Sequence, residues 1–274
     1  MGFEKKGLFV IKRTSVLDLQ DFKAKNQKWL MLTSYDALTS NLFDELEIPV
    51  VLVGDSAGQL VFGHDSTVPV TMEEMLPIVG GVARSNKHSL IVADMPFGSY
   101  QSSTKLALEN ATKFLKAGAQ AVKLEGGQRI SQTISALVEA GIPVMGHIGL
   151  TPQSVNVFGG YKVQGKGEQA QLLLQDAKAL EVAGAFSIVL EAIPSSLASE
   201  ITKSVSIPTI GIGAGPDTDA QVLVWQDLAG LTKDPIPKFV KRFANLRDDL
   251  SSAVKLAKEE VESGNYPDDN HSYQ

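Results

Sequence analysis

The residues of this chain that could do chemistry sit where its apolar runs end. Asp55 closes VVLVGD, Asp94 closes LIVAD, Lys123 and Glu125 close AVKLE, His147 closes IPVMGH, and Glu191 closes SIVLE. Each run is short and rich in β-branched residues, the composition of a fully buried strand. A carboxylate inside such a strand would be very costly. At the strand's C-terminal end it faces a shared cavity instead. In a parallel α/β barrel or a doubly wound sheet, that rim is where ligands bind.

Asp55, Asp94 and Glu125 end the second, third and fourth candidate strands. Neighbouring parallel strands lie ~4.8 Å apart, so these side chains can converge on one point. Oxygen-only donors in a chain without cysteine suit Mg²⁺, which takes few carboxylates and keeps waters; Mn²⁺ or Co²⁺ could substitute. Each acid alone also suits a plainer job. Asp55 precedes Ser-Ala-Gly and Asp94 precedes Met-Pro, contexts that fit a turn or a helix cap. Three acids ending three successive strands beside a lysine favour the metal site.

Lys123 and Glu125 alternate across Leu124, so both can face the barrel interior. Lys123 could hold a substrate carboxylate, act as a Schiff-base nucleophile, or simply pair with a neighbouring acid. A divalent ion would already supply the electron sink that a Schiff base provides. Glu191 ends the sixth strand, away from Asp94, where a carboxylate suits general-base work; its plainer reading is a cap for a helix beginning near Pro194. His147 could orient substrate, shuttle a proton, or serve only as a hydrogen-bonding residue. GIGAG at 211–215 suits either phosphate binding or a tight turn. No nucleotide-fold glycine motif, P-loop, GxSxG or HExxH pattern is present.

The elements that must position these residues alternate regularly. Candidate strands are Leu30–Ser34, Val50–Gly54, Ser89–Asp94, Ala121–Glu125, Pro143–His147, Ser187–Glu191, Pro208–Ile212 and Val222–Trp225. The eighth could also open a helix. Between strands lie helical spacings, as in Ser103–Ala117, where Leu106, Ala107, Asn110, Ala111, Phe114 and Leu115 recur at three- and four-residue steps. Ala-Gly in KAGAQAV, EAGIPV and VAGAFSI suits helix ends that need a positive φ. Eight alternations predict a single (β/α)8 barrel spanning the chain. Asp55–Val70 and His147–Gly167 are long loops; the second, with Gly, Tyr, Phe and Lys, reads as a lid or binding loop. Residues 236–274 are read as a helical extension, reaching about Ser263, and a polar tail. Residues 1–28 form an N-terminal segment without a usable motif.

Composition bounds the partners. The chain has 274 residues, the size of one such barrel, with 43% hydrophobic and 20% charged residues. A net charge of −6 without a dense basic segment argues against nucleic acid and against anionic membranes. No signal peptide or membrane span is expected, which points to a cytoplasmic protein.

The segments TSYDALTS, VLVGDSAG, GHDSTVPVT, LIVADMPFGSY, AVKLEGG, GHIGLTPQSVNVFGGYKVQGKG, VLEAIP, PTIGIGAG and IPKFVKRF together resemble the ketopantoate hydroxymethyltransferase family. The similarity runs in order from about Trp29 to the C-terminus, and its most specific part is the long string from Gly146. The resemblance implies a Mg²⁺-dependent (β/α)8 enzyme of pantothenate biosynthesis. Such an enzyme moves a one-carbon unit from 5,10-methylenetetrahydrofolate onto 3-methyl-2-oxobutanoate, giving 2-dehydropantoate. It also implies a homo-oligomer, commonly a decamer. Asp55 and Asp94 would then ligate Mg²⁺ and through it the substrate, with Glu125 close by, directly or through water. Ser56 and Lys123 would bind the 2-oxoacid, and Glu191 would accept the proton. Alternatives from the residues alone are another metal-dependent 2-oxoacid lyase or mutase, needing no one-carbon donor, and a non-catalytic scaffold of the same fold.

Overall fold

The computed structural model describes residues 12–273. The chain divides into two compact units, one to Leu223 and one from Val224. The first is a closed barrel of eight parallel strands in chain order. They are β1 (Trp29–Thr33), β2 (Val50–Val53), β3 (Leu90–Asp94), β4 (Ala121–Glu125), β5 (Val144–Gly149), β6 (Ser187–Glu191), β7 (Thr209–Ile212) and β8 (Ala220–Leu223). β8 closes on β1, with Met31 opposite Val222. The expected (β/α)8 barrel is therefore present. The eighth strand begins two residues earlier than its sequence suggests. Trp225 instead opens a short helix, Trp225–Leu228.

The strand runs are continuous rather than alternating because helices cover their outer face while the barrel interior covers the inner one. Helices Met72–Arg84, Thr104–Ala117, Ser131–Glu139, Gln169–Val182 and Ser195–Ser204 follow strands around the barrel. The helix Thr104–Ala117 starts where Ser103 accepts from the Leu106 N–H, buries Ala107, Asn110, Ala111 and Phe114, and ends at Gly118 with φ +114°. Gly141 and Gly184 also take positive φ, so all three Ala-Gly signals mark helix ends.

Inside the barrel, side chains stack by strand parity. Leu90 and Val92 lie beneath Asp94, Ala121 beneath Lys123, Met145 beneath His147, and Val189 beneath Glu191; these apolar residues join Met31, Val50, Leu52, Ile210 and Val222 in one core. Fully burying each large aliphatic side chain is worth about 1.5–3 kcal/mol. That packed floor offsets the several kcal/mol that each buried charge above it costs. Register places Asp94 opposite Lys123, Glu125 opposite His147, and Gly149 opposite Glu191. The candidate residues thus form one polar layer around the C-terminal rim.

In the second unit the helix begins at Leu246 and runs to Ser263. The sequence reading put its start ten residues earlier. Pro235 and Pro237 carry no N–H to donate to a helix ladder, and 235–245 is irregular. At the N-terminal side, residues 1–11 lie outside the described residues. Helix Val16–Ala24 follows them, set by a Ser15–Asp18 capping box.

Candidate active site

The rim residues meet in one buried chain of charges. Lys123 Nζ lies 2.9 Å from Asp94 Oδ1, 3.9 Å from Glu125 Oε1 and 3.0 Å from His147 Nδ1. His147 continues the chain, with Nδ1 3.5 Å from Glu125 Oε1 and Nε2 3.2 Å from Glu191 Oε2. Asp55 joins from β2, its N–H donating to Asp94 Oδ2 at 3.2 Å. All but Glu191 are nearly inaccessible to solvent; the Glu191 side chain is 16% exposed. It is therefore the most accessible of these acids. Ser56 begins the loop after β2, its Oγ 2.7 Å from Tyr35 Oη.

Electrostatics follow from this crowding. Burial, then repulsion from Asp94 and Glu125, pushes the Asp55 carboxyl well above the usual carboxylate range. Asp94 is raised by burial and by Glu125, although Lys123 opposes the rise. Burial would lower the Lys123 pKa, but the fields of Asp94, Glu125 and Asp55 outweigh it and raise it. Burial and Lys123 likewise oppose charge on His147, yet Glu125 and Glu191 hold its pKa up at about 9. Glu125 is lowered because His147 and Lys123 outweigh its burial.

Four carboxylates thus face one lysine and one histidine, an excess of negative charge that a divalent cation would relieve. Asp94 Oδ1 and Glu125 Oε1 are buried without a well-directed hydrogen bond, although Lys123 Nζ pairs with Asp94. These oxygen donors fit Mg²⁺, which takes one or two carboxylates and completes its shell with water and substrate. Among the described residues no three His, Asp or Glu side chains stand in a ready-made metal cage. Glu125 instead accepts the Gln153 N–H at 3.0 Å through Oε2. Asp55, Asp94 and Glu125 are the carboxylates here that could hold such an ion.

Sequence reasoning did not single out Gln153, Tyr100 or Tyr35. Gln153 Nε2 donates to Asp55 Oδ2 and to the Met95 carbonyl, each at 2.9 Å. Its Oε1 accepts from Tyr100 Oη at 2.9 Å. Through its carboxamide and its backbone N–H together, Gln153 ties the second, third and fourth strand ends to the loop after the fifth. Gln153 and Tyr100 lie within quoted strings, GLTPQS and MPFGSY, but a lone amide or phenol there carries no spacing signal. The GIGAG segment runs from the end of β7 into a bend and packs closely on its neighbours. A Cβ on Gly215 would come within 2.4 Å of Ser195 Cβ, and one on Gly211 within 2.6 Å of Thr218 Oγ1.

The chain matches the family model described as ketopantoate hydroxymethyltransferase over residues 13–269, beginning before the similarity visible from Trp29. It is 58% identical over 264 residues to the 3-methyl-2-oxobutanoate hydroxymethyltransferase of Thermobifida fusca, covering 96% of this chain and 94% of that protein. The enzyme of the same name from Rhodococcus jostii is 52% identical over 263 residues, covering 96% and 91%. Among solved structures, a phosphonopyruvate hydrolase complexed with oxalate and Mg²⁺ superposes with a TM-score of 0.61 at 13% identity, covering 94% of this chain and 91% of that one. A 2,3-dimethylmalate lyase of the PEP mutase/isocitrate lyase superfamily gives 0.57 at 14% identity, covering 92% and 99%. Those two likenesses establish the fold alone. With the strand-end residues gathered in one buried site and a family match spanning nearly the whole sequence, this chain belongs to the ketopantoate hydroxymethyltransferase family.

Proposed function

We propose that the chain transfers a hydroxymethyl unit from 5,10-methylenetetrahydrofolate to 3-methyl-2-oxobutanoate, giving 2-dehydropantoate, with Mg²⁺ held by Asp55 and Asp94. The observation that carries this reading is the continuous buried line Asp94–Lys123–His147–Glu191, which places an acid pair and a separate carboxylate at opposite ends of one site. Bound Mg²⁺ supplies a Lewis acid for the keto and carboxylate oxygens of a 2-oxoacid and so acidifies C3.

The protein's own residues do the rest. Lys123, held by Asp94, offers its ammonium to the substrate carboxylate, and Ser56 adds a hydroxyl from the loop beside it. Lys123 already has an acid partner, which favours the binding role over a nucleophilic one. Glu191 accepts the C3 proton. His147, bracketed by Glu125 and Glu191, keeps positive charge next to that base. The C3 carbanion forms a bond to the bridging methylene carbon, both bonds from that carbon to the folate nitrogens N5 and N10 break, one water supplies the hydroxyl oxygen, and the two nitrogens take up the proton from C3 and the proton left by that water. Charge placed in advance favours the carbanion over the neutral ketone, as catalysis requires.

No helix among the described residues is long and apolar enough to cross a membrane. The small-molecule metabolism named for its relatives supports a cytoplasmic metabolic role. Leu250, Val254 and Val261 are more than half exposed on helix Leu246–Ser263, an apolar stripe that supports assembly into a homo-oligomer, for which the family resemblance suggests a decamer. The test is direct: purified protein with Mg²⁺, 3-methyl-2-oxobutanoate and 5,10-methylenetetrahydrofolate should form 2-dehydropantoate. Omitting the folate should abolish product while leaving exchange of the C3 hydrogen intact. Product formed without a one-carbon donor would reject the reading.

A further inference from the structure

A cavity of about 320 Å³ lies beside the charged centre, bounded by the ends of β4 and β5, the loop after β5, and helix Gln169–Val182. That volume is in the range of small-ligand sites. Ile148, Phe158, Leu172 and Leu173 give it apolar walls, while Asp176 and Arg129 supply opposite charges. Two glycines fix its relation to the reacting centre. A Cβ on Gly127 would fall 1.9 Å from Asp176 Cγ, so only glycine there lets the carboxylate stand at this wall. Gly149, at φ +94°, would bring a Cβ within 2.3 Å of the Glu191 carbonyl oxygen. Cavity and base therefore share a wall that, at this point, is backbone only.

We propose that this cavity receives the pteridine ring of the one-carbon donor, an inference that rests on the folate-dependent reaction above. The pteridine of a reduced folate is a nitrogen-rich bicycle whose two faces pack on apolar surfaces and whose one edge carries an amino group beside a ring N–H. Apolar walls suit its faces, and a carboxylate accepts from both donors of that edge. Asp176 is oriented for this, because its Oδ1 is already held by the Gln128 N–H at 2.7 Å. The 2-oxoacid does not fit here, since Asp176 repels its carboxylate. Arg129, its Nη2 3.2 Å from Ser154 Oγ, suits the anionic tail of the same donor. The loop read from sequence as a lid thus forms one wall of the donor site.

The experiment measures tetrahydrofolate affinity by calorimetry and, separately, folate-independent deuterium exchange at C3 of 3-methyl-2-oxobutanoate. Asp176→Asn keeps an acceptor for Gln128 but places an amide where the carboxylate stood. It should weaken tetrahydrofolate about ten- to hundredfold while exchange stays native. Leu172→Trp, at an exposed position on the wall, fills the cavity and should do the same. Unchanged tetrahydrofolate affinity in both variants overturns the proposal, as does loss of exchange in parallel with affinity. Tetrahydrofolate binding without exchange in the native protein would instead count against the reaction and leave the cavity assignment standing.

Discussion

His147 Nε2 lies 3.2 Å from Glu191 Oε2, so the carboxylate proposed to take the C3 proton has the imidazole as a partner inside its own site, with Glu125 and Glu191 favouring the charged ring. The sequence marked His147 but left its task open between substrate orientation, proton shuttling and plain hydrogen bonding. On the proposed reaction, its position between Glu125 and Glu191 makes it a positioning residue for Glu191. His147→Gln keeps a donor but removes the charge, and should slow C3 exchange by about tenfold or more while Mg²⁺ affinity stays near native. Native exchange in this variant would show that Glu191 needs no such partner.

Lys123 is nearly inaccessible and paired with Asp94. Lys123→Ala should raise KM for the 2-oxoacid about ten- to hundredfold, the equivalent of a charge-assisted hydrogen bond of about 1.5–3 kcal/mol. Steady-state kinetics at fixed donor concentration read this directly. An unchanged KM would remove Lys123 from substrate binding.

The metal-free site has a pH signature. Asp55 and Asp94 have raised pKa values, so the stability they contribute when protonated is lost as pH climbs through those values. His147, raised to about 9, contributes stability fully below its ordinary value of 6.5 and loses it as pH passes 9. Both signs agree across that window. Mg²⁺ binding removes the carboxylate repulsion, so the gain in Tm on adding Mg²⁺ should widen from pH 6.5 to pH 9. Calorimetric scans in chelator and in Mg²⁺ at the two pH values check it; a constant or narrowing gap contradicts it. Asp94→Ala should abolish most of the Mg²⁺ gain.

Gln153 holds the Asp55 carboxylate in place. Gln153→Leu leaves a buried oxygen without that donor, at a cost of about 1–3 kcal/mol. Metal titration should show weaker Mg²⁺ binding, and thermal unfolding a lower Tm. Native Mg²⁺ affinity would show that Asp55 needs no support from the loop after β5.

Much of this was legible in the sequence because the physics was local. A charged residue ending a β-branched run is costly anywhere except at a rim, so Asp55, Asp94, Lys123, Glu125, His147 and Glu191 stood out by type and place alone. The Ala-Gly helix ends were equally local. What escaped depends on contacts distant in sequence. Gln153 reaches Asp55 across 98 positions, and nothing near it announces the partner. Asp176 carries no local signal either, since the glycine that makes room for it, Gly127, is distant in sequence. The C-terminal helix starts later than the sequence suggests because Pro235 and Pro237 cannot donate to a helix ladder, so regular helix begins only at Leu246.

The central claim is that Glu191 is the base, and the direct measurement is deuterium exchange at C3 of 3-methyl-2-oxobutanoate by Glu191→Gln, followed by NMR with Mg²⁺ present. The account predicts that exchange is abolished while Mg²⁺ still binds with near-native affinity. Exchange at the native rate would contradict it.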